Sequence, residues 1–278
     1  TTPAVLSCTM VPTITNPALA ARRAEQERSA IYIFLHIPKT AGTSLVRGIK
    51  EALAPGEYLD LYGVHRTTDI IARELAELPP ERVAKIRFAA GHQAWYGIHE
   101  VLGRPARYIT FLRSPVARVL SCYRMMRRDL SNGFNPAILR HCPTFAKYVS
   151  SINHPLVANH MAVMLARRGA AANHNADDCW RVNNAWMERA DVNLANFWFV
   201  GFQESYEADC RLLCERMGIP CTIRQERRAS DEPPDDLEIT AADVAKCREL
   251  NWADAVLYEL ALIRRGLGQG LGASGVTR

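Results

Sequence analysis

No stretch of the 278 residues approaches the roughly 20 consecutive apolar residues that a membrane span needs. No basic start leads into an apolar core at the amino end, so nothing there reads as a secretory signal. Thr1 is compatible with a removed Met or with a cut from something longer. Neither sign of charge dominates: 34 Lys and Arg stand against 29 Asp and Glu, giving +5 and a pI near 8.8. That balance suits a polyanionic small ligand such as a nucleotide and is too weak to argue for nucleic-acid binding. The eight cysteines contain no C-x-x-C pair and are no disulfide scaffold. Cys210 and Cys214 fall one helical turn apart beside Leu213 and Met217, which reads as buried free thiols in preference to a metal site. Internal repeats are absent too. An apolar content of 48% is ample for a large core, and the length fits one α/β domain with a helical addition.

The chain turns on residues 31 to 53. Ile31, Ile33, Leu35 and Ile37, interleaved with Tyr32 and Phe34, form a run suited to a strand buried on both faces of a parallel sheet. Leu45, Ile49 and Leu53 then recur at helical spacing. Between strand and helix lies Pro38-Lys39-Thr40-Ala41-Gly42-Thr43-Ser44. Strand, tight loop and helix make an anion cradle: amides at the helix start point at the ligand and the macrodipole favours its charge. Gly42 permits close approach, Thr40, Thr43 and Ser44 bring hydroxyls, and Lys39 brings a full charge. A Walker A loop is missing, since the leading Gly is absent and Lys39 stands at the loop's entrance.

A second strand–helix unit covers Arg107 to Arg128. Tyr108 to Leu112 reads as a strand, Ser114-Pro115 as an N-cap followed by proline at the first helical position. Val116, Val119, Leu120 and Tyr123 supply the apolar stripe of the helix. Arg113 then ends a strand on the sheet edge where open α/β sheets bind ligands, provided this strand and the first are parallel. Ser121 stands about 9 Å along the helix from its start.

The order H-x-P-K-T-A-G-T-S over His36 to Ser44 resembles the 5′-phosphosulfate loop of PAPS-dependent sulfotransferases, in the version of the carbohydrate 2-O- and 6-O-sulfotransferases and their bacterial relatives. F-L-R-S-P-x-x-R-x-x-S-x-Y over Phe111 to Tyr123 resembles the same family's 3′-phosphate motif, with Ser114 where Asp is common. V-G-F-Q-E-S-Y at Val200 and L-L-C-E-R-M-G-I-P at Leu212 resemble its late strand–helix unit. The resemblance implies a P-loop-like α/β fold: a central parallel sheet flanked by helices, with a helical acceptor-side insertion. It implies that Lys39, Thr40, Ala41, Gly42, Thr43 and Ser44 hold the 5′ end of PAPS, and that Arg113 and Ser121 bind its 3′-phosphate. Arg118 belongs to the motif as well, but a structural ion pair suits it equally. The family's Golgi members carry a membrane anchor and work in an oxidising lumen; with neither sign here, a cytoplasmic bacterial-type enzyme is expected.

Sulfuryl transfer needs in-line geometry, charge stabilisation and a base for the acceptor hydroxyl. His92, in a Gly-His at a strand end, resembles the catalytic histidine of the 2-O branch, and a histidine pKa near 6.5 suits the work. A histidine bonded within its own loop is the plainer alternative. His65, His99, Glu100 and Asp60 are the substitutes for the base. Trp95, Tyr96 and His65 are the acceptor-side candidates. No metal, no nucleic acid and no membrane is expected as a partner; the acceptor would be a carbohydrate or other small-molecule hydroxyl. A nucleotide-dependent kinase with an atypical phosphate loop, and a non-catalytic nucleotide- or glycan-binding module, remain as alternatives.

The remaining expectations are organisational. Residues 1–30 read as an arm and short helix, 31–265 as the main domain with a helical acceptor-side region at 131–195, and 266–278 as a flexible tail. Gly218 caps a helix that starts at Gln203, and Thr240-x-x-Asp243 opens one long helix carrying Val244, Cys247, Leu250, Leu257, Leu260 and Ile263.

Overall fold

Alternation along the first strand sets the layers of the molecule. In β1 (Ile31–Leu35), Ile31, Ile33 and Leu35 enter one core while Phe34 enters another. Successive strand side chains point to opposite faces, so a strand apolar at every position must be covered on both. The computed structural model describes residues 29–63, 67–130, 134–150, 156–167, 181–222 and 237–273. The expected N-terminal arm and helix and His65 lie outside those residues.

After β1 come α1 (Gly42–Glu51), β2 (Tyr58–Asp60), α2 (Thr68–Ala76), α3 (Pro80–Lys85), β3 (Phe88–Gly91), α4 (Ile98–Val101), β4 (Ala106–Leu112) and α5 (Pro115–Arg128). The chain continues through α6 (Phe134–His141), α7 (Phe145–Ser150), α8 (His160–Ala166), α9 (Asn184–Ala195), β5 (Phe199–Phe202), α10 (Tyr206–Met217), α11 (Ala241–Leu250) and α12 (Trp252–Ala273). The five strands lie in the order β2-β3-β1-β4-β5, and every pairing is parallel. The sequence expectation of a P-loop-like central parallel sheet flanked by helices is the architecture observed. From β1 the chain leaves toward β2 on one side; from β4 it leaves toward β5 on the other. The crevice between the carboxyl ends of β1 and β4 is therefore the topological switch point, where such sheets take their ligands.

One face of the sheet is covered by α1 and α10, whose Leu45, Val46, Ile49, Cys210, Leu213 and Cys214 meet Phe34, Phe88 and Phe111. The other is covered by α2, α8, α9 and α12 against Ile31, Ile33, Leu35 and Leu112. A third core joins α5, α6, α7 and α11 around Val119, Tyr123, Phe145, Tyr148 and Cys247. The helical stretch expected at 131–195 thus divides: α6 and α7 build on α5, while α8 and α9 belong to the sheet.

One expectation about the carboxyl end is corrected. Thr240 and Asp243 do form a capping box, but the helix they open ends at Leu250, and Asn251 leaves the helical region at φ −112°, ψ 34°. The fully buried Asn251 makes the break useful. Its amide donates to the Val157 carbonyl (2.7 Å) and accepts from the Asn159 backbone (3.1 Å), while Asn159 Oδ1 accepts from Ala253 N (3.0 Å). The oxygens of buried Asp254 cap α8 through Met161 N and Ala162 N, 3.8 Å from the guanidinium of buried Arg118. Arg118 is structural, as one of the two sequence readings had it. The helix α12 also runs to Ala273, through eight residues assigned to a flexible tail. Glycine costs a helix about 1 kcal/mol relative to alanine but does not forbid it.

Replacing Asn251 by Ala strands several buried backbone groups and should cost about 3 kcal/mol in urea unfolding. Thr240→Ala removes only a surface cap and should cost about 1 kcal/mol. Equal losses for the two would contradict the role given to Asn251.

Candidate active site

The loop after β1 is strained where an anion cradle would need it. Lys39 (φ 71°) and Ala41 (φ 69°) both adopt the left-handed conformation, at a cost of roughly 1 kcal/mol or more each for residues with a Cβ. Alternating conformations of this kind turn successive amides toward one concave side. Ala41 is the N-cap of α1 and makes no side-chain cap, and the first turn carries no acidic residue. The leading N–H groups of α1 are thus left for an external acceptor, beside half-buried Lys39.

The loop is held from inside. Thr40 is fully buried and its hydroxyl donates to the Ile37 carbonyl at 2.8 Å. This corrects the expectation that Thr40 offers its hydroxyl to a ligand: a buried hydroxyl must be satisfied, and the proton serves the turn. Thr43 is exposed, and Ser44 is half-buried next to the Tyr206 phenol. Beneath the loop lies His36, buried, its ring stacked 5.2 Å from Phe34 and its Nδ1 2.6 Å from the Tyr62 hydroxyl. A Cβ on Gly42 would fall 2.3 Å from His36 Cδ2 and 2.4 Å from Nε2. Glycine at 42 is therefore required by this ring. Burial, with the charges of His92 and Lys39, holds His36 well below the ordinary histidine range, so it stays neutral.

β3 pairs directly with β1, Leu35 opposite Gly91, and this register delivers His92 to the same edge. Gly91 is a true close approach, since a Cβ there would fall 2.0 Å from the Leu61 carbonyl oxygen. His92 lies with its ring 4.4 Å from that of His36 and 4.9 Å from that of Tyr62. Its Nδ1 is 2.7 Å from the His36 carbonyl. A carbonyl only accepts, so Nδ1 carries the hydrogen and Nε2 carries the lone pair. Burial lowers the His92 pKa, the bond to the His36 carbonyl raises it, and the charge of Arg167 lowers it again; the net direction is down from 6.5.

β4 pairs with β1 on the other side, so Arg113 also reaches the carboxyl edge, and Arg113 Nη1 donates to the Lys39 carbonyl at 3.3 Å. Pro115 starts α5 as expected, but the Ser114 side chain makes no cap; its backbone N–H donates instead to Glu204 Oε1 at 2.8 Å. Ser121 lies on the buried side of α5, 9% exposed. Burial pushes the neighbouring Cys122 thiol up while Arg118, Lys39 and Arg113 pull it down, which sets this turn of α5 beside the loop.

The acceptor-side expectations fare differently. Trp95 is 2% exposed and belongs to the core against the sheet, so it cannot stack on a substrate; its expected role is corrected. Tyr96 is half-buried and its ring lies 4.8 Å from that of Tyr108 and 6.0 Å from that of Phe197. His99 is bonded to the Tyr108 hydroxyl at 2.9 Å. Glu100 lines a cavity with Ser29, Val83 and Arg104, at the amino ends of the strands and away from the loop. Neither is placed to serve as the base. Asp60 accepts from the Tyr62 amide at 2.7 Å, tightening the turn that carries Tyr62 to His36. The residue that sequence reasoning missed is Arg167, 1% exposed, whose Nη1 donates to the His92 carbonyl at 3.1 Å. No local pattern announces a contact across 75 positions.

No family model matches the chain, and no curated protein matches it. Among solved structures it is similar to a mouse sulfotransferase, SULT7A1, complexed with PAP, at a TM-score of 0.37 and 16% identity. The similarity covers 80% of this chain, which spans 63% of the length of that one. Among the described residues no group of three or more His, Cys, Asp or Glu is placed to hold a metal ion, and no helix is long and apolar enough to cross a membrane.

The contact between His36 and Gly42 can be tested by itself. Gly42→Ala should cost about 1–3 kcal/mol, the usual range for overpacking. In a His36→Ala background the same substitution should cost less, because the nearer of the two obstructing rings is gone and only Phe34 Cε1, 2.8 Å from the new Cβ, remains. Equal costs in both backgrounds, measured by chemical unfolding, would refute the contact.

Proposed function

We propose that the chain transfers a sulfuryl group from PAPS to a hydroxyl of a carbohydrate or other small-molecule acceptor. The observation that carries this reading is the convergence of three adjacent strand ends, β1, β3 and β4, on one crevice holding the Lys39 loop, His92 and Arg113. The two motifs that resemble the family's phosphate-binding stretches are brought side by side there, with a histidine of defined tautomer between β1 and β2.

In this reading the first amides of α1, with the backbone of Thr40 to Ser44, hold the 5′ end of the nucleotide. Lys39 stabilises the bridging oxygen as negative charge builds on the departing 3′,5′-diphosphoadenosine. Arg113 clamps the 3′-phosphate, with Ser121 nearly two turns into α5. Nε2 of His92 accepts the acceptor's proton as the oxygen attacks sulfur in line with the breaking S–O bond. Burial keeps the imidazole neutral, and therefore basic, below the pH at which a free histidine charges. No divalent metal is assigned a part. With Trp95 in the core, the acceptor is left to groups around His92, and its identity is set by panel assay.

The direct experiment incubates the chain with PAPS and an acceptor panel and follows addition of SO₃ by mass spectrometry. His92→Ala should lower turnover by roughly 10²–10⁴ with nucleotide affinity kept. Lys39→Ala should damage both affinity and rate, because its charge meets ground and transition states alike. The wild-type rate should rise with pH through a pKa below 6.5 and then level, since the base form is the active one and its pKa is depressed. Label passing from γ-ATP to an acceptor would replace this reading with a kinase. Binding of PAPS with no turnover on any acceptor would replace it with a binding module.

A further inference from the structure

His92 is gripped at two points that belong to different parts of the chain. Its ring is held through Nδ1 by the carbonyl of His36, at the end of β1. Its own carbonyl is held by Nη1 of Arg167, the residue that follows α8. Arg167 is 1% exposed, and α8 is buried along its whole length, packed between the sheet, α9 and α12. Burying a guanidinium is costly, and a buried helix end that delivers one to the His92 carbonyl holds that carbonyl's position.

We propose that Arg167 is a positioning residue for His92: from the end of α8 it anchors the main chain of the base while His36 anchors the ring, so that Nε2 is aimed at one point in the crevice. This rests on the reading of His92 as the base. Among the described residues, the groups set against His92 are the rings of His36 from the loop after β1 and Tyr62 from the stretch after β2, and Arg167 from the end of α8 at its carbonyl, with Lys39 beyond His36. Tyr62 is kept uncharged by burial, and His36 is neutral for the same reason. Among the described residues, Arg167 is thus the permanent positive charge bonded to His92. It disfavours the imidazolium and complements the anchoring, leaving His92 in the state that can take a proton.

Through Arg167, α8 takes a part in aiming His92. Its position is fixed by Asp254, which accepts from the amides of Met161 and Ala162, and by Asn251 through Asn159. The aim of the base is thereby tied to the junction between α11 and α12. A displaced base loses rate steeply, roughly 10²-fold for 1 Å.

The test follows the His92 ring nitrogens by ¹H–¹⁵N NMR through a pH titration in wild type, Arg167→Gln and Arg167→Lys, alongside kcat and KM for PAPS. Loss of charge in Arg167→Gln should move the His92 titration to higher pH, and the acid limb of the rate should move with it. At saturating PAPS kcat should fall roughly 10- to 100-fold while KM stays close to wild type, since Lys39 and Arg113 are untouched. Arg167→Lys should hold the titration near wild type and recover part of kcat. An unchanged His92 titration in Arg167→Gln overturns the proposal, as does a loss of rate that is uniform across pH. Should Arg167→Gln fail to fold, wild type and Arg167→Lys decide: Nδ1 found without its hydrogen at neutral pH, or a His92 titration in Arg167→Lys far from wild type, overturns it. The NMR readout stands apart from the reaction. A shifted His92 titration in a chain that transfers no sulfuryl group would uphold the anchoring by Arg167 and reject the sulfotransferase reading.

Discussion

The packing of the His36 ring beneath Gly42 is the constraint on which the site depends. His36 leaves the end of β1, stacks on Phe34 and fills the space under the first helical turn of α1. The same residue bonds Tyr62 through its ring and His92 through its carbonyl. One buried histidine therefore joins the ends of β1, β2 and β3 and fixes the height at which the loop crosses them. A bulkier residue at 42 cannot coexist with it, and Thr40 locks the loop from within. The strain at Lys39 and Ala41 is tolerated because these internal contacts over-determine the path.

Electrostatics follow from that packing. Lys39 and Arg113 meet at the loop, the positive end of α1 opens beside them, and Arg167 stands behind His92. A crevice with this sign of charge attracts a polyanion and keeps its histidines neutral. Both effects would serve the proposed transfer from an anionic donor, by holding the ligand and leaving His92 able to take a proton. The net charge of the chain, +5, gives little hint of this concentration.

What the sequence made legible was local. The β1-loop-α1 unit and the Arg113 strand end could be read because each is encoded within about ten contiguous residues, by periodicity, caps and a glycine. The parallel sheet followed from strands apolar at every position. What stayed hidden is what distant segments decide. Whether Trp95 lies in a cleft or in a core depends on the sheet face that α4 packs against, and no spacing around it tells. Thr40 reads as a ligand hydroxyl until the turn that consumes its proton is seen. Asn251 reads as one more polar residue within a helical pattern, because its partners are nearly a hundred positions away. Arg167 is the sharpest case: it follows an all-apolar run, and its partner belongs to another strand's end.

We propose that this crevice recognises a nucleotide by its 3′-phosphate as well as its 5′ end. Isothermal titration with 3′,5′-diphosphoadenosine, 5′-AMP and ATP with Mg²⁺ tests it most directly. 3′,5′-Diphosphoadenosine should bind most tightly, without metal, and Arg113→Ala should erase its advantage over 5′-AMP. Tighter binding of ATP with Mg²⁺, or an advantage that survives Arg113→Ala, would contradict it.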